Sequence, residues 1–311
     1  MNATLEDLNG EFHLGNQFTL DTATELSKLL TDDYRIVAKY QPYELPTWDD
    51  DKLNIVINTS RETHDPPPEV FRDDVFLSFQ HYYMFDSWDL PWDNPWVCPM
   101  PLGPFVDITQ IETIKPMTER KYDFSLIGQI PHTGTRDCFK RNLDNLMRDT
   151  GDKFKYFVEY TDGYSKGLPP NEYLGLLGDS RVVLCPPGAN SVETFRLFEC
   201  VAMGAMPMNE SLPRVWYYRD LPRCQTKWHD LDHALSKTLN MLQTEESRPI
   251  LHSIADYNQT ILHPAWLARQ MQKQIKMRHD NFDQAQPHLE AFREQARREI
   301  DDDDKLDTTK L

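Results

Sequence analysis

The residues best suited to chemistry lie between Leu184 and Pro207. An apolar strand pattern there ends in a Pro-Pro-Gly turn, and a helical pattern from about Ser191 to Met203 follows. Ser191 is a good N-cap, so the unpaired amides and the positive dipole end of the helix would point beyond the strand. Such an arrangement binds phosphate. The sequence therefore predicts an anion site made by Gly188, Asn190 and Ser191.

The same helical pattern carries two charged residues. Arg196 and Glu199 lie three residues apart and therefore share one helical face. The opposite face is apolar and is predicted to pack on a sheet, and Gly204 is predicted to end the helix. The spacing by itself is also that of an ordinary ion pair between Arg196 and Glu199 on the protein surface.

A second group of polar residues follows the strand-like segment LNIVINTS. Glu62, His64 and Asp65 lie in the loop that this segment enters, and Pro66 to Pro68 stiffen the chain after it. Carboxylates at the carboxyl end of a strand are well placed to take a proton from a substrate. The alternatives are a solvated polar loop and a second acidic pair, Asp86 and Asp89.

Strand and helix patterns alternate through two tandem stretches of the chain, as in parallel sheets covered by helices on both faces. The first stretch, residues 1–117, contains YRIVAKY, LNIVINTS and VFLSF, and the second, residues 118–250, opens with YDFSLIGQI. Residues 251–280 are predicted to form C-terminal helices, and the charged residues 281–311 to be poorly ordered. The fold class is therefore α/β, with two Rossmann-like domains facing a cleft.

Composition narrows the choice of partners. The 311 residues include 33 Lys and Arg against 50 Asp and Glu, for a net charge of -17. An acidic surface repels phosphate backbones, so we expect no nucleic-acid partner. Neither a signal peptide nor an apolar run long enough to span a membrane is visible, which predicts a cytoplasmic protein. The five cysteines lack metal-ligand spacing, and no metal site or cofactor is expected.

The stretch around Arg196 resembles the exostosin-type inverting glycosyltransferases, which have the GT-B architecture. The resemblance covers residues 119–210 and is carried by RKYDFSLIGQ, Arg136, Cys185-Pro186, Gly188, Arg196-Leu197-Phe198-Glu199-Cys200 and Gly204-Ala205-Met206-Pro207-Met208. It departs from the family pattern at Pro187, where a basic residue is frequent, and at Cys200, where alanine is usual.

The resemblance implies a donor site for a nucleotide sugar, with UDP as the expected nucleotide. It implies that Arg136 and Arg196 neutralise the diphosphate, that Glu199 accepts hydrogen bonds from the ribose hydroxyls, and that the reaction needs no metal. Asp65, Glu62 or His64 would then be the base for a glycan acceptor. An unanchored chain of this kind would be bacterial, viral or an excised catalytic domain.

Two alternatives remain open at the level of sequence. A retaining GT-B enzyme usually carries another glutamate seven or eight residues before the one matched here, whereas Glu193 stands six before Glu199. A catalytically silent nucleotide- or sugar-binding module would keep Arg196 and Glu199 but would lack a base on the loop of residues 61–65.

Overall fold

The computed structural model describes residues 2–7, 17–40, 45–48, 50–59, 72–81, 97–108, 114–129, 135–163, 166–188, 192–213, 215–244 and 247–280. Within these residues the chain forms two parallel five-stranded sheets, each with its own apolar core. The predicted α/β class, with two Rossmann-like units in tandem, is therefore confirmed.

The first sheet has its strands in chain order, β1 to β5. Continuous runs of buried apolar residues, such as Ile55 to Ile57, are what a sheet covered on both faces requires. One helix, α1, lies between the first two strands. The elements are β1 (Thr4–Asp7), α1 (Gln17–Leu29), β2 (Tyr34–Tyr40), β3 (Leu53–Thr59), β4 (Val75–Gln80) and β5 (Val97–Pro99).

The second sheet has the strand order β10-β9-β8-β6-β7. Its elements are β6 (Tyr122–Gln129), α2 (Thr135–Thr150), β7 (Tyr156–Thr161), α3 (Pro170–Gly178), β8 (Ser180–Leu184), α4 (Phe195–Ala202), β9 (Met206–Asn209), β10 (Cys224–Gln225), α5 (Leu231–Leu242), α6 (Ser247–Gln259) and α7 (Pro264–Asp280). Short 3-10 helices span Met117–Glu119, Gly151–Lys153, Trp216–Tyr218 and Trp228–Asp230.

The C-terminal helices are divided between the two cores. Ile254 and Tyr257 of α6 are buried in the core of the second unit. Leu267, Met271 and Ile275 of α7 are buried in the core of the first unit, against α1. The helix α7 begins at Pro264, where the missing amide hydrogen of proline costs no helical hydrogen bond.

The face of the first sheet opposite α1 and α7 is contacted differently. Among the described residues, Leu45 and Trp48 pack there against Val37, Val56 and Val75. Both described helices of this unit, α1 and α7, thus lie on one face of the sheet, and a helix on the other face stays a prediction. The described residues that touch that other face come from the irregular segment after β2.

The start of α4 also differs from the prediction. The helix begins at Phe195 with Thr194 as its N-cap, and not at Ser191. Thr194 has extended dihedral angles, φ -141° and ψ 146°, and the buried carboxylate of the preceding Glu193 accepts a hydrogen bond from Leu102. The residues before Phe195 are therefore used to contact the segment between the two units. The predicted helix end is confirmed, because Gly204 has a φ of 71°.

Candidate nucleotide-sugar site

Two arginine side chains, which could bind an anion, lie where β6 and β8 end. If the five strands are numbered along the chain from β6 as 1 to β10 as 5, their order across the second sheet is 2-1-3-4-5. The chain moves from β6 to one side and then returns to the other, so β6 and β8 flank the point where the strand order reverses. Ligands of open α/β sheets bind in the crevice at the carboxyl ends of such a strand pair.

Arg136, at the start of α2, spans this strand pair. Its Nε donates to the carbonyl of Pro187 at 2.5 Å, and its Nη1 donates to the carbonyl of Gln129 at 2.7 Å. The first carbonyl follows β8 and the second ends β6. One guanidinium group thus holds the two strand ends together beside Gly188, as the planar fork of arginine allows.

Arg196, in the first turn of α4, reaches the same edge of the sheet. Its Nη2 donates to the carbonyl of Ile127 at 2.5 Å, two residues before the carbonyl that Arg136 contacts. Gly128 lies between them with a φ of 153°, and a Cβ atom there would be 2.3 Å from Nη2. Only glycine leaves room for this guanidinium group against the strand.

Two polar atoms at the start of α4 are buried without a hydrogen-bond partner. They are Nε of Arg196 and Oγ1 of the N-cap Thr194, as judged within the described residues. Buried donors are almost always paired, so such groups indicate a bound ion, water or ligand. Arg136, Gly188 and Arg196 thus lie where β6 and β8 end, with Thr194 at the start of the helix that carries Arg196, and their role in binding a donor stays a prediction.

Glu199 lies one turn further along α4 and is only 3% exposed. Its Oε1 accepts hydrogen bonds from the backbone amides of Phe105 at 3.0 Å and Val106 at 3.2 Å. Its Oε2 accepts one from the hydroxyl of Tyr173 at 2.7 Å. Glu199 is therefore not half of a surface ion pair. Its contact with a ribose remains a prediction.

Burial and hydrogen bonding act on the Glu199 carboxylate in opposite directions. Burial raises its pKa, while the hydrogen bonds from Tyr173, Val106 and Phe105 and the charge of Arg196 lower it. Burial prevails, and the pKa lies above its ordinary value of 4.5. Tyr173 could not be found from the motif, since it comes from α3 and meets Glu199 only in the fold.

Glu193 is a buried residue whose role the sequence did not reveal. It is 1% exposed, and its Oε1 accepts a hydrogen bond from the backbone amide of Leu102 at 3.1 Å. Its Oε2 lies 3.5 Å from the hydroxyl of Tyr217. The carboxylate is therefore directed at the segment between the units. The only available signal was its position just before the helix.

Several of the predicted site residues lie outside the described residues. They are Asn190, Ser191, Glu62, His64, Asp65, Asp86 and Asp89. His81, which precedes Asp86 in the chain, is described and fully buried, with its Nε2 3.3 Å from Oγ1 of Thr19 on α1. Burial lowers the pKa of His81 to about 3, so this imidazole is neutral near pH 7.

Two kinds of feature, a metal-binding cluster and a membrane-spanning helix, are absent from the described residues. No cluster of three or more His, Cys, Asp or Glu side chains there could hold a metal ion. No helix in the described part of the chain is long and apolar enough to cross a membrane.

Comparison with known proteins gives structural neighbours only. No family profile and no curated protein matches the chain. An α-glucosyltransferase solved with UDP and a 13-mer DNA containing an HMU base has a TM-score of 0.48 at 11% identity, covering 85% of this chain and 84% of its own. AviGT4, a glycosyltransferase of avilamycin A biosynthesis, has a TM-score of 0.39 at 13% identity, covering 71% and 73%.

A further neighbour is a structure of accessory secretory protein 1, 2 and 3 from Streptococcus pneumoniae. Its TM-score is 0.45 at 9% identity, and the match covers 85% of this chain and 58% of that one. TM-scores of this size do not by themselves establish a shared fold or a shared activity.

The raised pKa of Glu199 predicts a pH-dependent effect of the Glu199→Gln substitution. Because the folded pKa exceeds the unfolded value of 4.5, the contribution of this group to stability is present below pH 4.5 and is lost as the pH rises through the folded pKa. The amide does not titrate. Relative to wild type, the free energy of unfolding of Glu199→Gln should therefore increase from pH 4.5 upward.

Urea unfolding at a series of pH values measures this difference. Glu172→Gln, on the exposed surface of α3, serves as the matched control. If the free energies of unfolding of wild type and Glu199→Gln differ by the same amount at every pH, the carboxylate is not held in this buried environment.

Proposed function

We propose that the chain is a glycosyltransferase that transfers a sugar from a UDP-sugar to a hydroxyl group of a glycan acceptor. The observation that carries the proposal is the convergence of Arg136 and Arg196 on the carboxyl ends of β6 and β8. Two guanidinium groups at the switch point of a parallel sheet suit a diphosphate, which arginine recognises with paired hydrogen bonds. The unpartnered Nε of Arg196 supports the same assignment.

In this proposal the two arginines also serve the chemical step. The acceptor oxygen attacks the anomeric carbon, a new C–O bond forms, and the bond to the β-phosphate oxygen breaks, releasing UDP. Negative charge builds up on the leaving diphosphate, and fixed cationic donors stabilise that charge in the transition state. Arg136 and Arg196 would supply this stabilisation without a metal ion, so we propose metal-independent transfer.

Inversion at the anomeric carbon is the favoured stereochemical course. Direct displacement from the face opposite the diphosphate requires a base to take the acceptor proton. Glu193, the glutamate nearest to the spacing of retaining enzymes, is buried and accepts a hydrogen bond from Leu102. That contact supports a structural role for Glu193 and favours the inverting reaction.

The donor site predicts the effect of removing one guanidinium group. Arg196→Ala should weaken UDP binding by about 1.5–3 kcal/mol, the range for a hydrogen bond to a charged group, which is about 10- to 150-fold in Kd. Titration calorimetry in the presence of EDTA measures the affinity and tests metal independence at the same time.

Arg141→Ala is the matched control, since Arg141 lies on the exposed face of α2. It should bind UDP as the wild type does. Unchanged UDP affinity in folded Arg196→Ala, or wild-type binding that appears only when a divalent metal is added, would refute the proposed donor site.

The base is proposed to come from the loop after β3. Asp65 is the first candidate and Glu62 the second, with His64 beside them. Since a general base contributes about 10²- to 10⁴-fold to the rate, Asp65→Asn or Glu62→Gln should lower kcat at least about 100-fold. UDP affinity should stay near that of wild type, because the donor is bound by the other unit.

Turnover of both amide variants with a donor that the wild type uses is the measurement. Near wild-type rates in both would show that the base lies elsewhere, and Asp86 and Asp89 would be replaced next. A chain that binds UDP but transfers no sugar from any UDP-sugar donor would instead be a silent nucleotide-binding module.

A further inference from the structure

Three polar side chains stand side by side where the central strands of the first sheet end. Lys39 of β2 pairs with Asn58 of β3, which pairs with Gln80 of β4. Paired residues of parallel strands point to the same face, so the three form a row. All three are fully buried. The row lies on the face shared with Val37 and Val56, opposite the face that α1 and α7 cover.

The two amides of this row have no hydrogen-bond partner in the part of the chain that the structure describes. Nδ2 and Oδ1 of Asn58 and Nε2 and Oε1 of Gln80 are buried without a hydrogen bond, judged on the described residues. Oγ of Ser78, two residues earlier on the same face, is in the same state. Native proteins pair nearly all such atoms, and an unpaired buried amide is costly. Five unpaired atoms in one patch indicate a polar partner from outside the chain.

The backbone carbonyls of the same two residues are hydrogen-bonded. The carbonyl of Asn58 accepts a hydrogen bond from His81 at 3.2 Å, and that of Gln80 accepts one from Met100 at 3.0 Å. The strand ends are thus paired through their backbones, and only their side-chain amides lack partners among the described residues. Because a misplaced strand would leave backbone groups unpaired as well, the unpaired amides do not result from a misplaced strand.

The row also lies beside the contact between the two units. Gln80 pairs with Pro99 of β5, and the Pro99 carbonyl accepts a hydrogen bond from the indole Nε1 of Trp216 at 3.0 Å. Trp216 belongs to the second unit, which carries the proposed donor site. A group bound at the row would therefore lie at the carboxyl edge of the first sheet, next to the second unit.

We propose that Asn58 and Gln80 form a subsite for a hydroxyl-bearing sugar ring of the acceptor. This inference rests on the proposed function. Each amide offers both donors and an acceptor, and neighbouring strands are about 4.8 Å apart, so the pair presents alternating donors and acceptors. Neighbouring sugar hydroxyls offer the complementary set. An anion would use only the amide N–H donors and a metal ion only the carbonyl oxygens, so neither would pair all four amide atoms as hydroxyl groups can.

The competing occupant is a buried water molecule, which also donates and accepts. Substituting apolar side chains of similar size separates the two. Asn58→Leu and Gln80→Met remove the unpaired groups without leaving a large cavity, and replacing an unpaired polar group in this way is neutral or stabilising. Loss of sugar binding in a protein of unchanged or higher Tm would then report recognition and not misfolding.

The experiment uses the full chain saturated with UDP. Saturation-transfer NMR would measure the binding of the methyl glycosides of glucose, galactose, mannose and N-acetylglucosamine. We expect at least one glycoside to bind wild type and its Kd to rise about tenfold or more in Asn58→Leu and in Gln80→Met, while UDP affinity stays within about twofold. Gln225→Met, at the end of the edge strand β10 and exposed, is the matched control and should bind the glycoside as wild type does.

Each other outcome overturns the inference in a distinguishable way. If UDP binds wild type and no glycoside does, the subsite is wrong and the donor site stands. If the glycoside binds both variants as tightly as wild type, the row holds water only. If UDP itself fails to bind, the proposed function falls, and the acceptor subsite falls with it.

Discussion

Two buried carboxylates hold the chain segment that joins the two units, and the geometry of the candidate site depends on them. Glu193 accepts a hydrogen bond from the amide of Leu102, and Glu199 accepts two, from Phe105 and Val106. Burying a carboxylate is unfavourable unless charge-assisted hydrogen bonds replace its hydration. Because both glutamates flank Arg196 on one short stretch, the joining segment and the Arg196 side chain are positioned by the same part of the chain.

This arrangement separates two tasks that the sequence motif appeared to combine. Arg196 is directed to the end of β6, whereas Glu199, one turn later, is directed to the joining segment and to Tyr173 of α3. A bound diphosphate would therefore contact a helix that is already tied to the segment leading from the first unit. Binding in the second unit and the placement of the first unit are then physically linked through α4.

The net charge of -17 bears on how this protein could bind a phosphate group. A strongly acidic protein repels free anions at long range, so any phosphate site must be made by nearby groups. Arg136 and Arg196 contact backbone carbonyls only two residues apart on β6, Ile127 and Gln129. Neutral carbonyls thus orient both guanidinium groups at the strand ends, and the charge of Arg196 also acts on the buried Glu199 carboxylate, whose pKa it lowers.

Sequence patterns predicted most of the elements that position this site. The strands β2, β3, β4, β6 and β8 follow from apolar runs, and helices fill most of residues 251–280 as predicted. The start of α4 did not follow from such patterns, because Ser191 is a better N-cap by residue type than Thr194 and the tertiary contact of Glu193 decided the boundary. Strand β1 was missed since its four residues, Thr4 to Asp7, alternate weakly and are stabilised by pairing with β2.

Side-chain partners were harder to foresee than elements. The pairing of Asn58 with Gln80, and the meeting of Tyr173 with Glu199, join residues distant along the chain. Local periodicity carries no information about such contacts; they follow from strand order and register. The convergence of Arg136 and Arg196 was predicted only because a family resemblance had already linked them.

The central claim is that the diphosphate of a UDP-sugar is bound by Arg136 and Arg196 where β6 and β8 end. A crystal structure of the full chain with UDP tests it most directly. The claim predicts a phosphate oxygen within hydrogen-bonding distance of Nε of Arg196, which is buried and unpartnered within the described residues, beside Arg136 and Gly188. A structure in which UDP is bound away from both guanidinium groups would contradict it.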